Sequence, residues 1–152
     1  MTLRKLACLI VAADAPLLAA VPFVGAWKLN AAKTKYTAGQ PPKDQTITIA
    51  QHGDHYDVRI TGAAANGAPI SQRYKLPMKG GKGAVQESAV YDDISTQRID
   101  QNTRENSYFK GGKQVLSARV SVSQDGKTLT GKLKGTDLAG QPVVGTLVLD
   151  RQ

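Results

Sequence analysis

Cysteine is all but missing from this chain of 152 residues: the single one, Cys8, falls in an N-terminal apolar stretch. No intrachain disulfide can form, so a folded domain must rely on its packed core. Histidine is scarce, with His52 and His55 alone, and the glutamates are Glu87 and Glu105. No Gly-x-Ser-x-Gly, His-Glu-x-x-His or dinucleotide-binding fingerprint occurs, so the expectation is a protein that is not an enzyme and takes no cofactor. Gly126-Lys127-Thr128 is like the end of a phosphate-binding loop, but Ser121 stands where its first glycine is required. His52 and His55 flank one turn near Asp57, whereas zinc needs three or four convergent ligands, so no metal is expected. Aromatics are thin, with one Trp, two Phe and five Tyr. Barrels that bind nucleic acid combine basic charge with stacking aromatics, so no nucleic-acid partner is expected.

The N-terminus has the order of an export signal: Arg4 and Lys5, an apolar run from Leu6 to Ala13, then Leu17-Leu18-Ala19-Ala20 ending in small residues. Asp14 and Pro16 interrupt it, which weighs against the alternative of an uncleaved membrane anchor from Leu6 to Val24. Residues 1–20 are thus expected to be a cleaved signal peptide, and 21–152 a single domain with no integral membrane part. Export without disulfides suits a bacterial periplasm or exterior. The formal charge of +8 becomes +7 once Arg4, Lys5 and Asp14 are removed. The lysines gather at turns, where charge keeps sheet ends soluble.

Beyond the leader the chain resembles itself at an offset of 73 residues. Thr48 to Ile70 aligns without a gap on Ser121 to Val143: Gln51, Gly53, Gly62, Gly67 and Pro69 match Gln124, Gly126, Gly135, Gly140 and Pro142. Ile49, Tyr56, Ile60 and Ile70 meet Val122, Leu129, Leu133 and Val143. Shared turn glycines and shared alternation mean one three-strand meander built twice. A short strand at Gly25 to Leu29 precedes the first copy, with a loop from Asn30 to Lys43 between them. Strands are expected over Ala84–Val90, Ile94–Ile99 and Thr103–Lys110 between the copies, although charged residues leave neither face cleanly apolar there. Asp125-Gly126 and Ala139-Gly140 supply turns in the second copy. No helix is long enough for a crossover. The expected fold is all-β: an antiparallel up-and-down barrel of about 8–10 short strands, which removes exposed edges, with an open two-layer sandwich as the alternative.

With Gly25-Ala26-Trp27 on the first strand ahead of barrel meanders, the chain resembles the lipocalin-like (calycin) superfamily. More closely, Pro22-Phe-Val-Gly-Ala-Trp-Lys-Leu-Asn30, Lys33 to Tyr36, Asp125-Gly-Lys-Thr-Leu129 and Lys134-Gly-Thr-Asp137 are similar to small exported bacterial proteins with lipocalin-like domains. The chain departs from eukaryotic lipocalins in having no cysteine pair and no Thr-Asp-Tyr motif in the middle strands. The resemblance implies a barrel with a small-ligand cavity, one end closed by Trp27.

Parity assigns the lining. Ile47, Ile49, Tyr56, Val58 and Ile60 face one way on two strands, and Ile70, Gln72, Tyr74 and Leu76 on the next. Val120, Val122, Leu129, Leu133, Val143, Leu147 and Leu149 are expected to match in the second copy. Gly131 stands opposite Val58 and Gly145 opposite Gln72, where a missing side chain leaves either a cavity or a tight bend. Arg119 should turn outward, whereas Arg98 lies where alternation fails and could meet an anionic head group. The first reading is an exported barrel binding a small apolar or amphipathic ligand in its lumen, with Tyr56, Gln72, Tyr74, Arg98 and Tyr108 as polar contacts, acting as a monomer. The alternative is a cavity-free, envelope-associated barrel that meets protein partners through its surface, with Val144 and Val148 exposed on the last strand.

Overall fold

The computed structural model describes residues 21–136 and 141–152. The leader at 1–20, with Cys8, and the turn at Ala139–Gly140 lie outside them. The described residues form twelve strands: β1 (Gly25–Leu29), β2 (Lys35–Ala38), β3 (Asp44–His52), β4 (His55–Ala63), β5 (Pro69–Pro77), β6 (Gly81–Lys82), β7 (Ala84–Glu87), β8 (Asp93–Asp100), β9 (Thr103–Lys110), β10 (Lys113–Val122), β11 (Thr128–Thr136) and β12 (Pro142–Arg151). All ladders are antiparallel, in the order β6-β8-β9-β10-β11-β12-β1-β3-β4-β5-β7. The chain folds as a nearly closed antiparallel barrel.

Closure comes from a segment that changes partner. Gly81 and Lys82 pair with Thr96 and Ser95 of β8, and the Gly83 amide donates to the Ile94 carbonyl at 2.8 Å. One residue later the chain has crossed to β5, where Ala84 and Val85 pair with Lys75 and Tyr74. Gly83 is the pivot because a Cβ there would stand 2.4 Å from the Lys75 carbonyl oxygen and 2.9 Å from Ile94 Cγ2. The two sheet ends can approach this closely only around a residue without a side chain.

The internal repeat is real in register. β4–β5 and β11–β12 pair identically at the 73-residue offset: Tyr56 faces Leu76 and Leu129 faces Leu149. The preceding hairpins differ by two residues. Ile49 faces Val58, whereas its counterpart Val122 faces Leu129, the counterpart of Tyr56. A slip of two keeps every side chain on its own face, where a slip of one would invert them.

Three expected boundaries need correction, and two of them add strands, which brings the count among the described residues to twelve. The loop at 30–43 contains β2, which follows β1 along the same strand, β12: Leu29 pairs with Leu149, then Tyr36 with Gly145. Between them the Thr34 hydroxyl accepts the Val148 amide at 3.0 Å and sits 3.4 Å from its carbonyl oxygen, standing in for a backbone rung. The expected strand at 84–90 ends at Glu87, and the 79–83 loop contains β6. Polar residues and glycines on both of these segments hid the ladders.

Replacing Gly83 with Ala should therefore destabilise the fold by about 1–3 kcal/mol, the cost of forcing a methyl into filled space. Gly131→Ala is the control, since a Cβ there has ordinary contacts at 3.9 and 4.0 Å. Urea unfolding midpoints compare the two; equal midpoints would show that closure at Gly83 does not limit stability.

Candidate functional site

One end of the barrel, the base, is capped by residues 21–24. Phe23 and Trp27 are buried, and the Trp27 indole donates to the Phe23 carbonyl at 3.0 Å. Arg151, at the end of β12, lies over the Trp27 ring with 4.2 Å to its centroid. It donates to the carbonyls of Val24 at 2.7 Å and Pro22 at 2.8 Å. The cap is thus fastened by a cation on a ring and by charge-assisted hydrogen bonds.

Above the cap the lumen holds a cavity of about 360 Å³, running from Phe23 towards Gln40, Ile70 and Leu116 near the opposite rim. Its wall is mostly the aliphatic face of the two repeats, and the size falls within the range of small-molecule sites. The two glycines noted in the second copy differ in outcome. Gly131 lines open space, whereas the Tyr36 ring packs on Gly145, where a Cβ would come within 2.2 Å of Tyr36 Cδ1. A wider depression of about 1410 Å³ lies beneath the base between Val21–Gly25 and the turns at Asp100–Thr103 and Ser123–Lys127. It opens broadly to solvent and lacks the lumen's enclosure.

Of the five polar contacts expected, Tyr56, Gln72, Tyr74 and Tyr108 line the cavity. Arg98 does not: it is exposed at the end of β8, where the ladder to β9 is irregular between Arg98 and Asp100. The arginine in the wall is its cross-strand partner Arg104, 4% exposed. Arg104 Nη1 and Nη2 each donate at 2.8 Å, to the carbonyls of Met78 and Pro77, and Nε reaches Thr96 Oγ1 at 3.2 Å. Its guanidinium carbon is 5.4 Å from the Tyr56 ring centroid. These bonds bridge β9 to the end of β5 below β6, so Arg104 latches the seam. Burial lowers its pKa, Tyr56 opposes this, and Arg98 adds to the lowering. Arg119 is exposed as expected, 3.7 Å from Glu105. Val144 is 37% exposed, while Val148 is buried at 9% beneath Thr34.

Inward residues of β9 alternate as Arg104, Asn106 and Tyr108, a polar stripe on an apolar wall. Tyr108 joins Tyr74 and Tyr91 in a ring cluster, with centroids 6.2 Å apart for Tyr74–Tyr108 and 4.7 Å for Tyr91–Tyr108. The Tyr91 hydroxyl donates to Gln72 Oε1 at 2.7 Å. Sequence reasoning missed Arg104, Asn106 and Tyr91. Counting back by twos from Tyr108 would have found the first two; Tyr91 sits alone in the 88–92 connection, with no periodicity to expose it. No group of three or more His, Cys, Asp or Glu residues that could hold a metal occurs among the described residues.

No protein-family model matches the chain, and no curated protein matches it. Among solved structures it is similar to a redesigned β-barrel, mFAP1, bound to DFHBI, at 15% identity and a TM-score of 0.40, over 83% of this chain and 94% of that one.

Two predictions test the site's physics. All five tyrosines have raised pKa values, burial being the first cause in each, with Tyr36 pushed up to about 12. A raised acid leaves stability intact below the unfolded phenol value of 10.0 and drains it as pH climbs towards the folded value. Tyrosinate absorbance from the three clustered phenols, Tyr74, Tyr91 and Tyr108, should therefore appear only with loss of the β-sheet circular dichroism. Ionisation of all five phenols near pH 10 in the folded protein would contradict the enclosed cluster. Arg104→Leu should cost about 2–4 kcal/mol by stranding the Pro77 and Met78 carbonyls, read as a lower urea midpoint; an unchanged midpoint would remove the latch.

Proposed function

We propose that this protein is a non-enzymatic carrier or sensor whose barrel takes up one small apolar or amphipathic molecule in its lumen. The observation that carries this reading is the lumenal cavity of about 360 Å³, walled by aliphatic strand faces and edged by a few phenols and amides. Such a site stabilises an apolar guest by removing its surface from water at about 25 cal/mol per Å². Gly131 gives the guest room by withholding a side chain from the wall. In the same reading the barrel is of the lipocalin-like (calycin) kind, with Trp27 at the base where the resemblance puts the Gly-x-Trp tryptophan. The leader-like N-terminus supports export, and the proposed location is a bacterial periplasm or exterior, as a monomer.

Native mass spectrometry of protein purified from its own host should find a retained small molecule. The neutral fluorescent probe N-phenyl-1-naphthylamine should brighten on binding the emptied barrel. Gly131→Leu, which projects an isobutyl group into the cavity, should weaken that binding at least tenfold while leaving the fold intact by circular dichroism. Undiminished binding to the leucine variant would move the guest out of the lumen, and no binding to either form would end the proposal.

A further inference from the structure

Asn106 has a buried polar atom with no partner. The side chain is 4% exposed and lines the cavity, and among the described residues no donor reaches its Oδ1. The hydroxyls around it engage other groups: Thr96 Oγ1, on the residue directly across the ladder, accepts from Arg104 Nε at 3.2 Å, and the Tyr108 and Tyr74 hydroxyls lie 3.5 Å apart. A buried acceptor without a donor is a standing cost to the fold, because water has been removed and nothing has replaced it. Valine or threonine would suit a strand at this position without that cost. The amide is also placed to be used: its Cβ–Cγ torsion is soft, so a modest turn presents Oδ1 to the space that Asn106 lines.

Resting on the lumen-binding reading, the geometry points to a specificity for guests that carry a hydrogen-bond donor, a hydroxyl or an N–H, on an otherwise apolar skeleton, with the donor paired to Asn106 Oδ1. The stripe on β9 fixes where the donor sits. Residues two apart on a strand are separated by about 6.8 Å, so Asn106 lies between the Arg104 latch towards the base and the tyrosine cluster around Tyr108. A guest seated there has its donor partway along the lumen and its apolar body against the aliphatic repeats. An acceptor-only guest of the same shape leaves Oδ1 unpaired and is discriminated against, as sites built around buried polar groups do.

The test compares 2-naphthol with 2-methoxynaphthalene, which keeps the ring and the oxygen but lacks the donor, by isothermal titration calorimetry on the emptied, full-length protein at neutral pH. The naphthol is expected to bind about tenfold more tightly, the effect of supplying one buried acceptor with its donor. In Asn106→Leu the ratio should fall to near one with binding of the methoxy compound retained. Equal affinities in the unaltered protein would overturn the inference while leaving lumen binding intact, and this comparison needs no variant to fold. A tenfold preference that survives in Asn106→Leu would also overturn it, assigning the donor to another partner. Failure of both compounds to bind would overturn the lumen reading and the inference together.

Discussion

Residues 81–87 hydrogen-bond to β8 and then to β5, and this change of partner turns a long sheet into a ring. An open sheet of eleven successive strands would leave two unpaired edges and a face of Ile, Val, Leu and Tyr side chains in water. Closure removes both at once. The backbone rungs across the seam are few, and below them the joint is carried by the Arg104 side chain reaching two carbonyls at 2.8 Å. A guanidinium is suited to this task because its planar fork serves several acceptors from one strand position. The ring also creates the lumen, so the cavity, the tyrosine cluster and the unpaired Asn106 Oδ1 all follow from a joint made by a glycine and an arginine.

What could be read from the sequence follows the same division. β3 to β5 and β10 to β12 alternate apolar with polar, so one face had to be buried, and the offset of 73 residues matches the register of β4–β5 to that of β11–β12. The strands around the seam were harder. β9 places Arg104, Asn106 and Tyr108 inward and Glu105 outward, so hydrophobicity carries almost no parity there. Arg98 drew attention because alternation fails around it; the inward arginine is its cross-strand partner Arg104, and the ladder is irregular just beyond the exposed Arg98. β2 escaped notice because a threonine hydroxyl, rather than a continuous strand, carries the chain along β12.

The lumen combines two economies. The repeats supply an aliphatic wall whose side chains are interchangeable so long as volume is kept. The seam supplies polar groups whose positions are fixed by ladders and by one another, as with Tyr91 on Gln72. In the proposed lumen-binding role, selectivity among guests of similar size would come from the second set, since aliphatic walls distinguish volume far better than chemistry.

Every ladder but those of β1 and β2 joins strands that lie close in sequence, whereas Trp27 pairs with Arg151 across almost the whole described chain. Hairpins can therefore form one after another as the polypeptide emerges, at small loop-closure cost. The base cannot be fastened until β12 arrives, because Arg151 holds both Trp27 and the capping segment. Until then the aliphatic face of β3 to β5 lacks its floor, and the chain is an incomplete ring with an open edge. The order of synthesis thus makes enclosure of the lumen a terminal event of folding, and the last strand acts as the fastener for the first.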